Sequence, residues 1–177
     1  MKKHDKTELN SDPEDVRHRG PCEIIAPVVT LAHRQAVFAI RNRVFVEEQE
    51  VDPAHERDEF DETAHHVLGL IDGVPAGTGR GFIHPEHPSE ARVGRMAVLP
   101  EFRGRRIASR ILAHLLDWAR NQGKETVRLH AQCAAIPLYA RFGFIPIGER
   151  FMEEGIEHLE MILRMPDRSS DERPPSS

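Results

Sequence analysis

The chain has 177 residues, 39% hydrophobic and 30% charged, a balance that suits one soluble globular domain, since domains most often run to roughly 100–150 residues. Its 24 basic and 29 acidic side chains give a formal charge of −5, which argues against a polyanion-binding surface spread over the whole molecule, so any anion site must be local. No window approaches the roughly 18 consecutive apolar residues of a membrane span, and two cysteines without a CxxC pair point to a reducing, cytoplasmic setting.

Residues 1–22 read as a polar, flexible tail, because no apolar stretch follows the early lysines as a signal peptide would require. Residues 166–177, rich in proline and serine, are too poor in apolar groups to offset the entropy of ordering and are expected to be disordered. The folded unit is residues 23–165. It opens with a short strand in CEIIAPVV, followed by a helix in LAHRQAVFAIRNRVFVEEQ, where Ala36, Val37, Ile40, Val44 and Phe45 recur at helical spacing. The next stretch, EVDPAHERDEFDETA, carries seven carboxylates in fifteen residues and little apolar periodicity, so it is expected to be a long acidic loop. Two readings of its Glu56, Asp58, Glu59 and Asp61 stay open: they attract a cationic substrate, or they cap helix ends and tie to Arg41 or Arg43.

HHVLGLIDGVPAGTGRGFI has two β-rich runs about an Asp-Gly pair that accepts the positive φ angles of a tight hairpin. After a HPEHPSE loop, ARVGRMAVL forms a strand that Pro100 ends. From Ile107, the apolar stripe Ile111, Leu112, Leu115, Leu116 and Ala119 predicts a helix that stops at Gly123, and TVRLHAQ returns as a strand. Strand, helix and strand make a crossover, which places the two strands in parallel and the Gly/Arg loop between strand and helix at the first strand's carboxyl end. AAIPLYARF predicts a short helix closed by Gly143, and FIPIGERFMEEGIEHLEMIL two strands about a Glu-Glu-Gly turn.

The loop PEFRGRRIASR is the chemically informative element. Orphan N–H groups and the partial positive charge at a helix start suit phosphate, and Gly104 and Ala108 keep bulk away. Arg103, Arg105 and Arg106 add charge and Ser109 a hydroxyl donor. The run is neither GxxxxGK[ST] nor GxGxxG. Taken alone, it also fits arginines on a solvated helix start or a small nucleic-acid contact.

The run RVGRMAVLPEFRGRRIASRILAHLLDWA resembles the acetyl-CoA-binding core of the GNAT N-acetyltransferases, whose pattern is Q/R-x-x-G-x-G/A, with Arg103 first, Ala108 last and Arg106 where glycine is usual. AIPLYARFGF is similar to the family's second cofactor segment. RNRVFVEEQEV, ERDEFDETAHHV and GIEHLEM resemble its ElaA-like branch, so the match covers nearly all of residues 23–165. The resemblance implies an α/β GNAT fold: a central mixed, mostly antiparallel sheet with a splayed parallel pair and flanking helices. It implies acetyl transfer from acetyl-CoA to a primary amine, small or lysine-like, by direct attack on the thioester. Met96, Ala97 and Val98 would pair with the pantetheine arm, and Gly104, Arg105, Arg106, Ile107, Ala108 and Ser109 would line the pyrophosphate with Arg103. Tyr139 would protonate the thiolate.

The base has several candidates: Glu47, Glu48, His66, His130 and His158, of which His66 and His158 fall in the ElaA-like segments. His84 to His87 look like half a metal site without a third ligand fixed by spacing, so no metal is expected. Cys133 reads as a small buried residue. The other readings are a non-catalytic acyl-CoA sensor and a basic-loop nucleic-acid module. No nucleic-acid or membrane partner is expected, and the open edges of a small sheet permit a homodimer.

Overall fold

The computed structural model describes residues 21–166. The expected tails, 1–22 and 166–177, lie outside the described residues apart from positions 21, 22 and 166. Seven strands form one sheet in the order β1-β2-β3-β4-β5-β7-β6: β1 (Cys22–Ile25), β2 (His65–Ile71), β3 (Val74–Ile83), β4 (Glu90–Val98), β5 (Thr126–Gln132), β6 (Ile145–Glu153) and β7 (Ile156–Arg164). All neighbours are antiparallel except β4 and β5. The helices are α1 (Leu31–Arg41), α2 (Pro53–Glu56), α3 (Ile107–Asn121) and α4 (Ile136–Ala140).

The crossover forms as its pattern predicts. Ile107, Ile111, Leu112, Leu115, Leu116 and Ala119 are the buried residues of α3. They pack closely because β3 presents a stripe of glycines beneath them. A Cβ built on Gly79 would stand 2.6 Å from Ile111 Cγ2 and from Met96 Sδ, and one on Gly81 would stand 2.6 Å from Trp118 Cζ3. With alternation along the strand, Thr78 and Arg80 face the other side, toward α1.

The helix expected over 31–49 divides. After α1 the backbone widens into a π-helical segment, Asn42–Glu48, where Gln49 N–H reaches Val44 C=O at 3.1 Å and Asn42 Nδ2 reaches Glu47 Oε1 at 2.7 Å, both spanning five residues. Apolar spacing does not separate this from an α-helix, and such segments recur at functional sites.

The acidic stretch is not the open loop expected. It contains α2 and a 3-10 turn, Glu59–Glu62, capped by Asp58. Its carboxylates are neutralised from three elements. Arg41, fully buried, pairs with Glu56 and, at 2.6 Å, with Asp61. Arg80 meets Asp61 at 2.7 Å and Asp58 at 2.6 Å, and Arg95 lies 3.4 Å from Asp58. Three arginines and three carboxylates thus form one balanced network, the arrangement that makes burying charge tolerable.

Candidate active site

β4 and β5 pair only at Glu90↔Thr126, Ala91↔Val127 and Arg92↔Arg128. Beyond Arg92, β4 stays with β3 as far as Val98 and β5 stays with β7 as far as Gln132. The two strands therefore part, each held by its outer neighbour. A bulge helps: the β3–β4 register shifts between Thr78 and Arg80, and Arg95 on the bulged strand takes φ 51°. The gap opens into a cavity of about 330 Å³ lined by Val93, Gly94, Arg95 and Met96 on one side and Leu129, His130 and Gln132 on the other, with Tyr139, Glu153 and His158.

Met96, Ala97 and Val98 lie on the parted length of β4. Leu99 N–H bonds Ala76 C=O at 2.9 Å, so by strand alternation the Val98 backbone groups turn away from β3, and Val98 C=O accepts Arg103 Nε at 3.1 Å. The chain then passes through a 3-10 turn, Pro100–Phe102, and Gly104 at φ 77° to Arg106 at φ 61°, ψ 18°, the residue just before α3. Arg106 thus holds the left-handed backbone that glycine takes most easily. The helix's first bond is Arg110 N–H to Arg106 C=O at 3.1 Å, which leaves the N–H groups of Ile107, Ala108 and Ser109 ahead of it. The Ile107 side chain itself is core.

Of the arginines expected to add charge here, Arg103 is already engaged: its guanidinium clasps Glu48 through two bonds of 2.7 and 2.6 Å. The Arg105 guanidinium lies 5.7 Å from the Phe102 ring centroid. Glu48, a candidate base, is held below the usual carboxyl range by the Arg103 hydrogen bond, and Glu47 accepts from Asn42; neither lines the cavity.

The acid and base candidates separate in space. Tyr139 on α4 lines the cavity at 6% exposure, edge-on to Phe144, and burial pushes its phenol up to about 12. His158 on β7 also lines it and donates from Nδ1 to Ile156 C=O at 2.9 Å, which leaves Nε2 as the lone-pair nitrogen. His66 does not. It lies between β2 and the acidic stretch, donating from Nε2 to Asp61 C=O at 2.8 Å and packed edge-on to Phe38, and it is absent from the cavity wall. Burial lowers its readiness to take a proton. Its bond to Asp61 C=O braces the 3-10 turn that carries the Asp61 carboxylate.

In its stead the structure brings His130 and Glu153 together. His130 Nδ1 is 2.9 Å from Glu153 Oε2, both line the cavity, and this bond is the first cause of the lowered Glu153 carboxyl. The Phe151 ring is edge-on to His130 at 4.9 Å and stacked near His158 at 5.9 Å. Spacing gave no warning of this pair, because β5 and β6 are separated by β7 in the sheet.

A parallel pair that parts, a helix start with free N–H groups at its mouth and titratable side chains in the gap suit an acyltransferase whose acyl carrier bears phosphate. The model of the acetyltransferase (GNAT) family matches residues 34–144, and the chain belongs to that family. As a member of that family it is an acyltransferase that uses acetyl-CoA as co-substrate. YyaT of Bacillus subtilis is 33% identical over 140 residues, covering 77% of this chain and 93% of that protein. Escherichia coli ElaA, 24% identical, superposes with a TM-score of 0.72 over 80% of this chain and 99% of its own. Salmonella typhimurium yncA, solved with its cofactor acetyl-CoA, is 15% identical with a TM-score of 0.66, over 82% and 96% respectively. At these identities the two structures speak for the fold. Among the described residues no helix is long and apolar enough to cross a membrane.

Proposed function

We propose that the protein acetylates a primary amine by direct attack on acetyl-CoA in the splay, with His130 as base and Tyr139 as acid. The observation that carries this reading is the His130–Glu153 contact of 2.9 Å inside the cavity that also holds Tyr139. A carboxylate on Nδ1–H orients the ring, leaves Nε2 free to accept a proton, and stabilises the imidazolium that results. The amine nitrogen attacks the thioester carbonyl, the Val98 N–H faces the oxyanion, and the C–S bond breaks as the ammonium proton passes to His130. Tyr139 donates to the departing thiolate. His158, with Nε2 open, lines the acceptor side. The parted backbone of β4 about Met96 and Ala97 receives the pantetheine arm, and the N–H groups from Gly104 to Ser109 take the pyrophosphate. Arg103 acts by fixing Val98 and Glu48.

Carboxylates Glu56, Asp58, Glu153 and Glu154 share the wall with Arg80, Arg92 and Arg95, so the cavity favours a small amine or the amine end of a lysine-like chain over a large acidic acceptor. The left-handed Arg106 backbone preserves what glycine supplies, which weighs against a degenerate, sensing-only loop. Thiol release from acetyl-CoA across an amine panel tests the proposal. Amine-dependent release from wild type, lost in His130→Ala with CoA binding retained, is expected. CoA binding without release from any amine would favour the sensor.

A further inference from the structure

We propose that the loop joining β3 to β4 holds a zinc-type divalent metal ion through His84, Glu86 and His87. One donor atom from each of the three lies within 4.8 Å of the others. Their convergence is built into the turn. His87 N–H bonds His84 C=O at 3.0 Å, closing a β-turn with Pro85 at its second position, where proline is favoured. Glu90 N–H then bonds His87 C=O at 3.0 Å, so the loop is secured at both ends. Residues at the first and fourth positions of such a turn lie side by side, and the two imidazole centroids are 5.5 Å apart.

His84 is further fixed against Phe60, at 5.7 Å, and its Nδ1 accepts Glu86 N–H at 3.3 Å, a long bond that a metal can replace. Among the described residues the His87 ring and the Glu86 carboxylate take no other hydrogen-bond or ion-pair partner. Two imidazoles and one carboxylate are the donor set of a three-ligand zinc site with water in the fourth position, and nitrogen donors disfavour magnesium and calcium. Metal binding requires the two rings and the carboxylate to turn inward from their spacing of up to 4.8 Å. The site lies at the opposite end of β4 from the Gly/Arg loop, and none of its three ligands lines the cavity. Through Phe60, which lines the cavity beside Phe82, it would stiffen one wall.

The test is Zn2+ titration of the full chain against a chromophoric chelator, with Mg2+ as a competing control. One zinc per chain is expected. His84→Gln/His87→Gln should abolish that uptake while the other nine of the eleven histidines remain, and Glu86→Gln should weaken it by about tenfold or more. Uptake unchanged in the double variant, Glu86→Gln binding like wild type, or displacement by Mg2+ would each overturn the proposal. If the variants misfold, histidine side-chain nitrogen NMR of wild type decides: one equivalent of Zn2+ should shift the His84 and His87 signals first, and shifts confined to other histidines would refute it.

Discussion

Replacing Arg106 by glycine should stabilise the protein without weakening cofactor binding. Arg106 sits at φ 61°, ψ 18° and makes no capping hydrogen bond with its side chain. A left-handed conformation costs an L-residue about 1–2 kcal/mol. Glycine removes that cost but adds freedom to the unfolded chain worth about 0.4–1 kcal/mol. The difference centres on about 0.8 kcal/mol, which for a chain of this size raises the thermal midpoint by about 2–3 °C. Arg106→Ala keeps the Cβ and should gain nothing, which separates backbone strain from repulsion among neighbouring arginines. Thermal unfolding of both variants, beside calorimetry of CoA binding, reads the outcome. An Arg106→Gly protein no more stable than Arg106→Ala would refute the strain argument. A large loss of CoA affinity would show that the guanidinium contacts the cofactor.

Tyr139→Phe should lower kcat by about 10²–10⁴ with the acetyl-CoA KM little changed, and because the phenol is pushed up to about 12, wild-type activity should show no alkaline loss assignable to Tyr139 below about pH 11. Glu153→Gln should reduce kcat while leaving CoA binding intact, checked by initial rates and calorimetry; unchanged kcat would remove Glu153 from the orienting role. Asp61 is held well below its ordinary range; burial opposes this, but pairing with Arg41 and Arg80 outweighs it. Its folded state thus binds fewer protons than the unfolded chain, and the stability it contributes is present above about pH 4 and lost as pH falls further. Asp61→Asn should cost about 3–5 kcal/mol at neutral pH and flatten the acid limb of denaturant unfolding. Gly79→Ala should destabilise by about 1–3 kcal/mol, because Ile111 or Met96 must move.

Periodicity and turn chemistry made much of the fold legible. The α3 stripe, the Asp72-Gly73 hairpin and the Glu154-Gly155 turn are local devices, and each forms where the residues indicate. What stayed hidden was non-local. The carboxylates after α1 were visible and their tie to Arg41 was one of the two readings left open, but Arg80 and Arg95 come from β3 and β4, and only the fold brings them there. Gly77, Gly79 and Gly81 of β3 carried no reading of their own in the sequence, because their part in admitting α3 depends on packing. Arg106 was visible as a departure from a motif, and its backbone angle supplies the reason glycine is usual there. His66 shares its segment with site-like residues yet braces the network beside β2, while Glu153 was legible only as part of the Glu-Glu-Gly turn and gains its place from the β5–β7–β6 order.

Direct transfer within the splay can be read by intact-protein and small-molecule mass spectrometry after mixing with acetyl-CoA. Without amine the chain should stay unacetylated, and with a suitable primary amine one acetyl group should appear on that amine as CoA is released, a transfer that His130→Ala suppresses. Accumulation of an acetyl-enzyme, on Cys133 or elsewhere, that is competent to pass its acetyl to the amine would contradict it.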